Sequence, residues 1–360
     1  MTKILTVFTT AFVPTGGLTT VMMNYYRVLD KKDLQIDFAS TNEPPQSLLD
    51  EIQSQGSTYF KLPKRKSVLS YFRKLMKIAK NYDVIHVHGN SSTSVIELLA
   101  AKLAGVKKRI VHNHNSVTEH AIINKILHPL FKRCYTQAVA CSSLAGNWLF
   151  GENQFFVLRN AINVDRFRFK NEFRRTIRQE FNIPDNTVVL GHIGKFVDAK
   201  NHLFLISVFS KYLENHPQSI LLLVGDGPNR EKIESEIQKK GLNSKVILTG
   251  LRTDTPQMLS AMDCFVFPSL WEGQPLSVLE AQAAGLPCYL STNITREVGL
   301  TAEVQFIELD KGANQWANML EPIDCNNREN KCDENKKALS DAGYNIVQES
   351  QALMDLYCHR

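Results

Sequence analysis

The sequence has no C-x-x-C pair among its seven cysteines, no G-x-G-x-x-G, and no apolar run approaching the ~20 residues of a membrane span. The first absence removes a zinc or disulfide framework, and scattered cysteines in apolar runs suit a reducing cytosol. The second removes a dinucleotide fingerprint. The third removes a spanning helix. The opening Met1-Thr-Lys-Ile-Leu-Thr-Val-Phe8 is too short and strand-like for a signal peptide. The expected location is therefore cytoplasmic. Acidic residues are missing from Tyr59 to Lys80, which carries eight Lys and Arg. What is present is ordinary for a soluble globular chain: 43% hydrophobic, 22% charged, and 360 residues, enough for two domains. A net charge of +6 permits acidic partners without demanding them.

One stretch organises the rest. Cys264-Phe-Val-Phe-Pro268 reads as a buried strand, Ser269 to Gln274 as a loop, and Pro275 as the first position of a helix. Leu276, Leu279 and Ala283 recur at helical spacing, and Gly285 with Pro287 stops the helix before a strand at Cys288 to Ser291. Glu272 precedes the helix and Glu280 lies about a turn and a half inside it. The free N–H groups of the first turn attract anions such as phosphate. Carboxylates on both sides suit a ligand with hydroxyls at each end and phosphates between, as in a nucleotide sugar. The competing reading is a cap (Glu272) and a solvated surface residue (Glu280).

Glu272-x7-Glu280, in the wording Pro-Ser-Leu-Trp-Glu-Gly-Gln-Pro-Leu-Ser-Val-Leu-Glu-Ala-Gln-Ala-Ala-Gly-Leu-Pro-Cys, resembles the E-x7-E motif of retaining glycosyltransferases of family 4. It is closest in wording to their bacterial capsule and exopolysaccharide branch. The resemblance implies an α/β GT-B fold: two Rossmann-like domains facing an interdomain cleft, with a C-terminal helix crossing back to the first. The expected boundaries are 1–163 for an acceptor-side domain, 164–343 for a donor domain and 344–360 for the returning helix.

In the first half, a strand over Lys3 to Phe8 leads through Gly16-Gly17 to a helix from about Leu18 to Leu29. The resemblance gives Gly16, and Gly17 beside it, the approach to the donor diphosphate; the alternative is an ordinary tight turn. Tyr59 to Lys80 interleaves its cations with Phe60, Leu62, Val68, Leu69, Tyr71, Phe72, Leu75 and Met76. Residues 61–80 can lie on an anionic membrane, grip a lipid-linked pyrophosphate acceptor, or form a solvated basic helix. No motif accompanies the charge that would make the partner a nucleic acid. His86 and His88 end one predicted strand; His112 and His114 end the next. The H-x-H spacing puts paired rings on one face, but no companion Asp, Glu or Cys cluster supports a metal, and none is assigned. The resemblance places His114, with His112 as fallback, against the donor sugar. Arg159-Asn-Ala-Ile-Asn163 resembles the family's interdomain segment, with Asn163 in place of an Asp.

The second half repeats the opening. Thr187 to Gly194 reads as a strand, Lys195 to Asn201 as a loop, and Asn201 to Leu213 as a helix with Leu203, Ile206, Phe209, Ser210 and Leu213 on one face. Lys195 and Lys200 at the loop–helix junction suit a diphosphate leaving group. They resemble the family's Gly-Arg-x4-Lys, with Lys195 offering a point charge where Arg offers a fork. The alternative is two solvated loop lysines. In the family, loops corresponding to Gly225, Gly227, Leu251 and Arg252 frame the nucleobase. Asn326 to Lys337 is charge-dense and reads as exposed, and Gly343 to Arg360 as an amphipathic helix.

The resemblance therefore implies a retaining, metal-independent hexosyltransferase. It would use a nucleoside-diphosphate sugar, expected to be a UDP-sugar, and no cofactor. Its partners would be that donor and a lipid-linked cell-surface saccharide, at the inner face of the plasma membrane. Glu272 would hold the sugar, Glu280 the ribose, and Lys195, Lys200 and the N–H groups around Gln274 and Leu276 the diphosphate. The alternatives are a nucleotide-sugar-binding subunit without catalysis, or an epimerase on the same fold. A phosphorylase would need a pyridoxal phosphate lysine motif that the sequence does not show.

Overall fold

The computed structural model describes residues 1–14, 16–115 and 121–358. Thr15, inside the first loop, and Ser116, at the end of the second histidine segment, lie outside them. The chain divides into two compact units, Met1–Ala161 with Ile346–Arg360, and Ile162–Asn345.

The first unit holds seven strands: β1 Thr2–Phe8, β2 Leu34–Ser40, β3 Tyr59–Lys61, β4 Val84–Gly89, β5 Lys108–Asn113, β6 Gln137–Ala140 and β7 Phe156–Val157. They form one sheet in the order β3-β2-β1-β4-β5-β6-β7, every pairing parallel. Parallel strands need crossovers, and the apolar periodicity between them supplies helices for both faces. Leu5, Val7, Ile85, Val87 and Val111 point to one face, where they pack with Tyr71, Leu75, Leu98 and Phe131 from helices. The alternate residues Thr6, His86, His88 and His112 point to the other face. There Tyr357 of the C-terminal helix Ile346–Cys358 meets His86, with Tyr357 Oη 2.8 Å from His86 Nδ1. The C-terminal helix is thus built into the first unit.

The second unit repeats the plan with β8 Val188–Ile193, β9 Ser219–Val224, β10 Val246–Leu248, β11 Cys264–Phe267, β12 Cys288–Ser291 and β13 Val304–Ile307. The order is β10-β9-β8-β11-β12-β13, again all parallel. Both sheets reverse strand order once, at β1/β4 and at β8/β11. Ligands of doubly wound sheets bind outside the carboxyl ends of the strands at such a point.

Several local expectations change. The basic segment is not one helix: β3 takes Tyr59–Lys61, and the helix is Val68–Ala79, with Tyr71 and Leu75 inward and Val68 and Leu69 exposed. The helix His202–Asn215 buries Leu205, Ile206, Val208, Phe209 and Tyr212, so Leu203 and Ser210 do not share its inner stripe. The charge-dense stretch after Asn326 is a docked helix, Arg328–Asp341. Its first residue, Arg328, is fully buried and donates to the carbonyls of Leu259, Met262 and Ala284 at 2.6, 2.6 and 2.7 Å. Those carbonyls end two neighbouring helices, whose last turns have no intrahelical partners. A guanidinium with five donors is used here as a shared C-terminal cap.

Candidate active site

At the β8/β11 reversal the second unit brings two loops together. Gly194 to Asn201 leaves β8, and Pro268 to Pro275 leaves β11. Leu270 N–H donates to Ala199 O at 2.7 Å, and Asn201 Nδ2 to Pro268 O at 3.1 Å. Asn201 adopts the left-handed region (φ 55°, ψ 43°), which asparagine tolerates better than most residues, and so turns the loop into the next helix. Across this junction Lys200 Nζ stands 2.7 Å from Glu272 Oε1, with both side chains more than four-fifths buried. The ammonium also lies 4.5 Å from the centre of the Phe267 ring, a cation–π contact. A Cβ at Gly194 would lie 3.2 Å from Lys200 Cε, so glycine there makes room for the lysine stem. Lys195 is exposed and enters no ion pair among the described residues.

The helix after this junction is Leu276–Ala283. Pro275 is its N-cap, with extended φ and ψ of −74° and 106°, and not the first helical residue as its spacing suggests. A proline cap offers no side-chain acceptor, so the first-turn N–H groups are left without the usual side-chain partner. Gln274 Nε2 donates to Tyr344 Oη at 2.8 Å, which fixes the residue just before the cap. Glu280, one turn in, is buried, and burial pushes its carboxyl up to about 7; the Arg166 charge offsets this only in part. It is not a solvated surface residue. Arg166 belongs to the short helix Val164–Phe167, whose cap is Asn163, accepting from Arg166 N–H at 3.1 Å. Asn163 thus has a structural task of its own.

The loops expected to frame the base are set by packing. Gly225 has φ +147°, and a Cβ there would fall 2.0 Å from Gly194 O; at Gly227 it would fall 2.6 Å from Phe196 O. Both glycines let the β9 exit lie against the lysine loop. Gly225 N–H donates to Gly250 O at 3.0 Å, and Leu251 beyond it is exposed. Arg252 is engaged by Glu180 and Asp254, each through two hydrogen bonds.

In the first unit, Gly16 caps the helix Gly17–Val28 with an ordinary negative φ, and among the described residues a Cβ at Gly17 would meet nothing within 4 Å. A Cβ at Gly16 would lie 3.2 Å from Val13 O, so a side chain is crowded there, whereas Gly17 is not demanded by its surroundings. His114 follows β5, with Nε2 2.9 Å from His88 Nδ1, so one of the two nitrogens must donate. Burial holds His114 down to about 4, with the Asn160 side chain opposing part of the shift, and His86 down to about 3. His88 and His112 are depressed for the same reason. These imidazoles are neutral at pH 7. The ring nitrogens of His86, His88 and His112 lie within 4.8 Å of one another and could hold a metal ion if they closed in, since Zn–N bonds are ~2.0–2.1 Å. His112 is wholly buried, and His114 is only half-buried beside the strand ends.

Residues 15–166 match the family Glycosyltransferase Family 4, and residues 173–309 match Glycosyl transferases group 1. The Bacillus subtilis protein EpsF, named as a glycosyltransferase, is 31% identical over 95% of this chain and 93% of its own. The chain belongs to the glycosyltransferases. A second relative of this glycosyltransferase is the UDP-Gal:alpha-D-GlcNAc-diphosphoundecaprenol alpha-1,3-galactosyltransferase of Escherichia coli, 28% identical over 81% of this chain and 79% of that one. The Anabaena protein HepE, solved in complex with UDP-glucose, superposes with a TM-score of 0.72 at 18% identity, covering 99% of this chain and 96% of that one. The lipopolysaccharide glycosyltransferase WaaG superposes with a TM-score of 0.71 at 14% identity over the full length of both. These likenesses establish the GT-B fold.

The transferase thus carries, in one unit, an ammonium, two carboxylates and uncapped helix N–H groups at a sheet reversal. Lys200 has three donors, so it can hold Glu272 and still donate to an oxyanion. Sequence reasoning brought Lys200, Glu272, Gln274, Leu276 and Glu280 to this place. It missed Phe267, Asn201, Arg166 and Tyr344, which act on those residues; no spacing rule joins positions so far apart in the chain. It also missed His88 as the partner of His114, although the two H-x-H pairs on adjacent strands carried that signal.

Proposed function

We propose that the protein moves a hexose from a UDP-sugar to a growing, lipid-linked cell-surface polysaccharide, with retention of anomeric configuration. The observation that carries this reading is the Lys200–Glu272 pair set against the uncapped helix start, with the buried Glu280 one turn inside. A diphosphate between these groups meets positive charge and N–H dipoles. The carboxylates on either side accept hydrogen bonds from hydroxyls: Glu272 from the sugar and Glu280 from the ribose. In the reaction the anomeric C–O bond breaks, the electron pair leaves with the diphosphate, and the acceptor hydroxyl forms the new bond and passes its proton to the departing diphosphate oxygen. Negative charge grows on the leaving oxygen. Lys200 and the N–H groups near Leu276 stabilise it without reorganising, while exposed Lys195 attracts the donor's charge. No divalent ion is needed for that task. In the first unit, neutral His114 is oriented by His88 and can donate to or accept from a hydroxyl. The relatives named for UDP-galactose and for a diphosphoundecaprenol acceptor support the donor and acceptor classes. The basic residues of 61–80 give the enzyme an anionic-membrane contact at the inner face, where a lipid-linked acceptor resides.

The test is transfer from a panel of UDP-, GDP-, ADP- and TDP-hexoses to an undecaprenyl-diphosphate saccharide, with and without EDTA, and NMR of the product's anomeric proton. One UDP-hexose should be used, with unchanged configuration and no EDTA effect. An inverted product removes retention, and loss of activity in EDTA removes the metal-free mechanism. Binding without turnover makes the chain a non-catalytic subunit, and sugar interconversion without an acceptor makes it an epimerase.

A further inference from the structure

Buried histidines gather over one face of the first sheet. His86 and His88 lie on the same side of β4, and His112 of β5 stands opposite His88 in the strand register. The ring centres are 4.2 Å apart for His86 and His88, 5.4 Å for His86 and His112, and 5.2 Å for His88 and His112. All of them are buried. His86 Nδ1 is 2.8 Å from Tyr357 Oη, and His88 Nδ1 is 2.9 Å from His114 Nε2. The other ring nitrogen of each, Nε2, makes no hydrogen bond. Neither nitrogen of His112 has a hydrogen bond of good geometry, though the Leu158 backbone lies beside the ring. Buried polar atoms seldom go without a partner, and here several are turned towards one another. One nitrogen from each of His86, His88 and His112 lies within 4.8 Å of the other two.

We propose that His86, His88 and His112 bind one Zn²⁺ ion, in a structural site that ties β4 to β5 and, through Tyr357, to the C-terminal helix. The ligand set selects the metal. No carboxylate or thiolate joins the group, which excludes Mg²⁺ and Ca²⁺, ions that take oxygen ligands; neutral imidazoles suit Zn²⁺. A fourth position is left for water. Zn–N bonds of ~2.0–2.1 Å at tetrahedral angles put the ligand nitrogens about 3.4 Å apart, so the rings must close in from 4.8 Å by rotation about their side-chain bonds. The outer contacts already suit this. With the Nδ1–H groups of His86 and His88 donating to Tyr357 and His114, both rings carry the tautomer that leaves Nε2 bare for an ion. His114, half-buried and with its ring centre 3.9 Å from that of His112, marks the side from which an ion enters. The ion has no task in the transfer proposed above, whose diphosphate is given to groups of the second unit, and the site does not depend on that reading.

The full chain, without a histidine tag, is purified from zinc-supplemented medium and its metal content measured; about one Zn²⁺ per chain is expected. Stripped with a chelator and then titrated with Zn²⁺ alone, it should melt about 5–10 °C higher. Co²⁺ in place of Zn²⁺ should give the visible absorption of a tetrahedral nitrogen site. His86→Gln and His112→Gln should abolish both effects while keeping the far-UV circular dichroism of the parent. Should these variants not fold, Tyr357→Phe removes only an outer hydroxyl and should weaken Zn²⁺ binding about 10–100-fold. The proposal is overturned by a parent that neither retains Zn²⁺ nor is stabilised by it, or by a Co²⁺ spectrum that survives in His86→Gln and His112→Gln. Where those variants do not fold, a Zn²⁺ affinity untouched by Tyr357→Phe overturns it as well. An ordered water without anomalous zinc signal, in crystals grown with Zn²⁺, would make this a water site and overturn it too. Transfer lost in EDTA at an unchanged melting temperature would strike the metal-free chemistry and leave this site standing.

Discussion

On the proposed placement of the ribose, Glu280 joins stability and nucleotide binding with opposite signs. Burial lifts its carboxyl from the ordinary 4.5 to about 7, so the folded protein holds this proton more tightly than the unfolded chain does. Between those values the unfolded chain releases the proton while the folded one keeps it. The stabilisation is complete below 4.5, declines as pH rises through 7, and levels off above. The ionised carboxylate then costs about 3 kcal/mol in the folded state. Glu280→Gln removes that cost and should raise stability at pH 8 by up to about 3 kcal/mol. The same carboxylate must be ionised to accept two ribose hydroxyls. At about pH 5.5 only some 3% of it is ionised, so affinity for a UDP-sugar should be about 30-fold weaker than on the alkaline plateau. A diphosphate diester has no titration of its own in this range, which makes UDP-glucose a better probe than UDP. Calorimetric titration from pH 5.5 to 8.5, in two buffers of different ionisation enthalpy, should show proton release on binding that fades above pH 7. In Glu280→Gln affinity should be low and flat while the melting temperature rises. A pH-independent affinity in the parent, or an unaltered slope in the variant, would refute the placement of the ribose on Glu280.

Other expectations follow from the same contacts. Lys200→Ala should slow transfer about 10²–10³-fold if it acts as one transition-state donor, whereas exposed Lys195→Ala should cost less; a double-mutant cycle with Glu272→Ala should show strong coupling, and additivity would separate the pair. Burial depresses His86 to about 3, and His114 and His202 to about 4, and also lowers His88, His112 and His192. Below pH 6.5 the unfolded chain takes up protons that the folded one refuses, so stability should fall steeply with acidification. Each histidine contributes about 1.4 kcal/mol per pH unit, and denaturation of His202→Leu should show a slope shallower by one proton. Arg328→Met should destabilise the second unit by about 3–5 kcal/mol, because the carbonyls of Leu259, Ser260, Met262 and Ala284 lose their shared donor; a chemical-denaturation midpoint within error of the parent would contradict that role.

Legibility followed the range of the interactions. Most strands were readable because both faces of a parallel sheet are buried, which leaves continuous runs such as Leu221-Leu-Leu-Val224, whereas β2, β3 and β13 were not read from the sequence. The motif helix was readable from Leu276, Leu279 and Ala283, and only its cap moved by one residue. Arg328 was not readable: a charge-dense string gives no sign that one guanidinium will find backbone carbonyls almost 70 residues earlier in the chain. The stripe of His202–Asn215 slipped because tertiary packing chose Leu205, Val208 and Tyr212, where periodicity allowed a neighbouring set. Gly225 and Gly227 looked like ligand glycines, yet their small size is explained by the backbone of Gly194 to Phe196. A pattern marks a place where a side chain is unwelcome; only coordinates say what occupies the space.

The two lysines of the second unit make the same point about charge. By sequence they are a pair at the ends of one loop, and either could meet a diphosphate. In the fold, Lys200 is held on three sides by Glu272, the Phe267 ring and the gap left by Gly194, while Lys195 stands in solvent. An ammonium already positioned and partly desolvated gives up little freedom when an oxyanion forms beside it, and its field is less screened by water. A solvated lysine must first be ordered, which costs up to about 2 kcal/mol of side-chain entropy. Lys200 is therefore suited to stabilising the leaving group, and Lys195 to attracting the donor. The distinction predicts that Lys195→Ala raises KM with kcat little changed and weakens the salt dependence of kcat/KM, whereas Lys200→Ala lowers kcat. Equal effects of both substitutions on kcat would show that burial had not separated their roles.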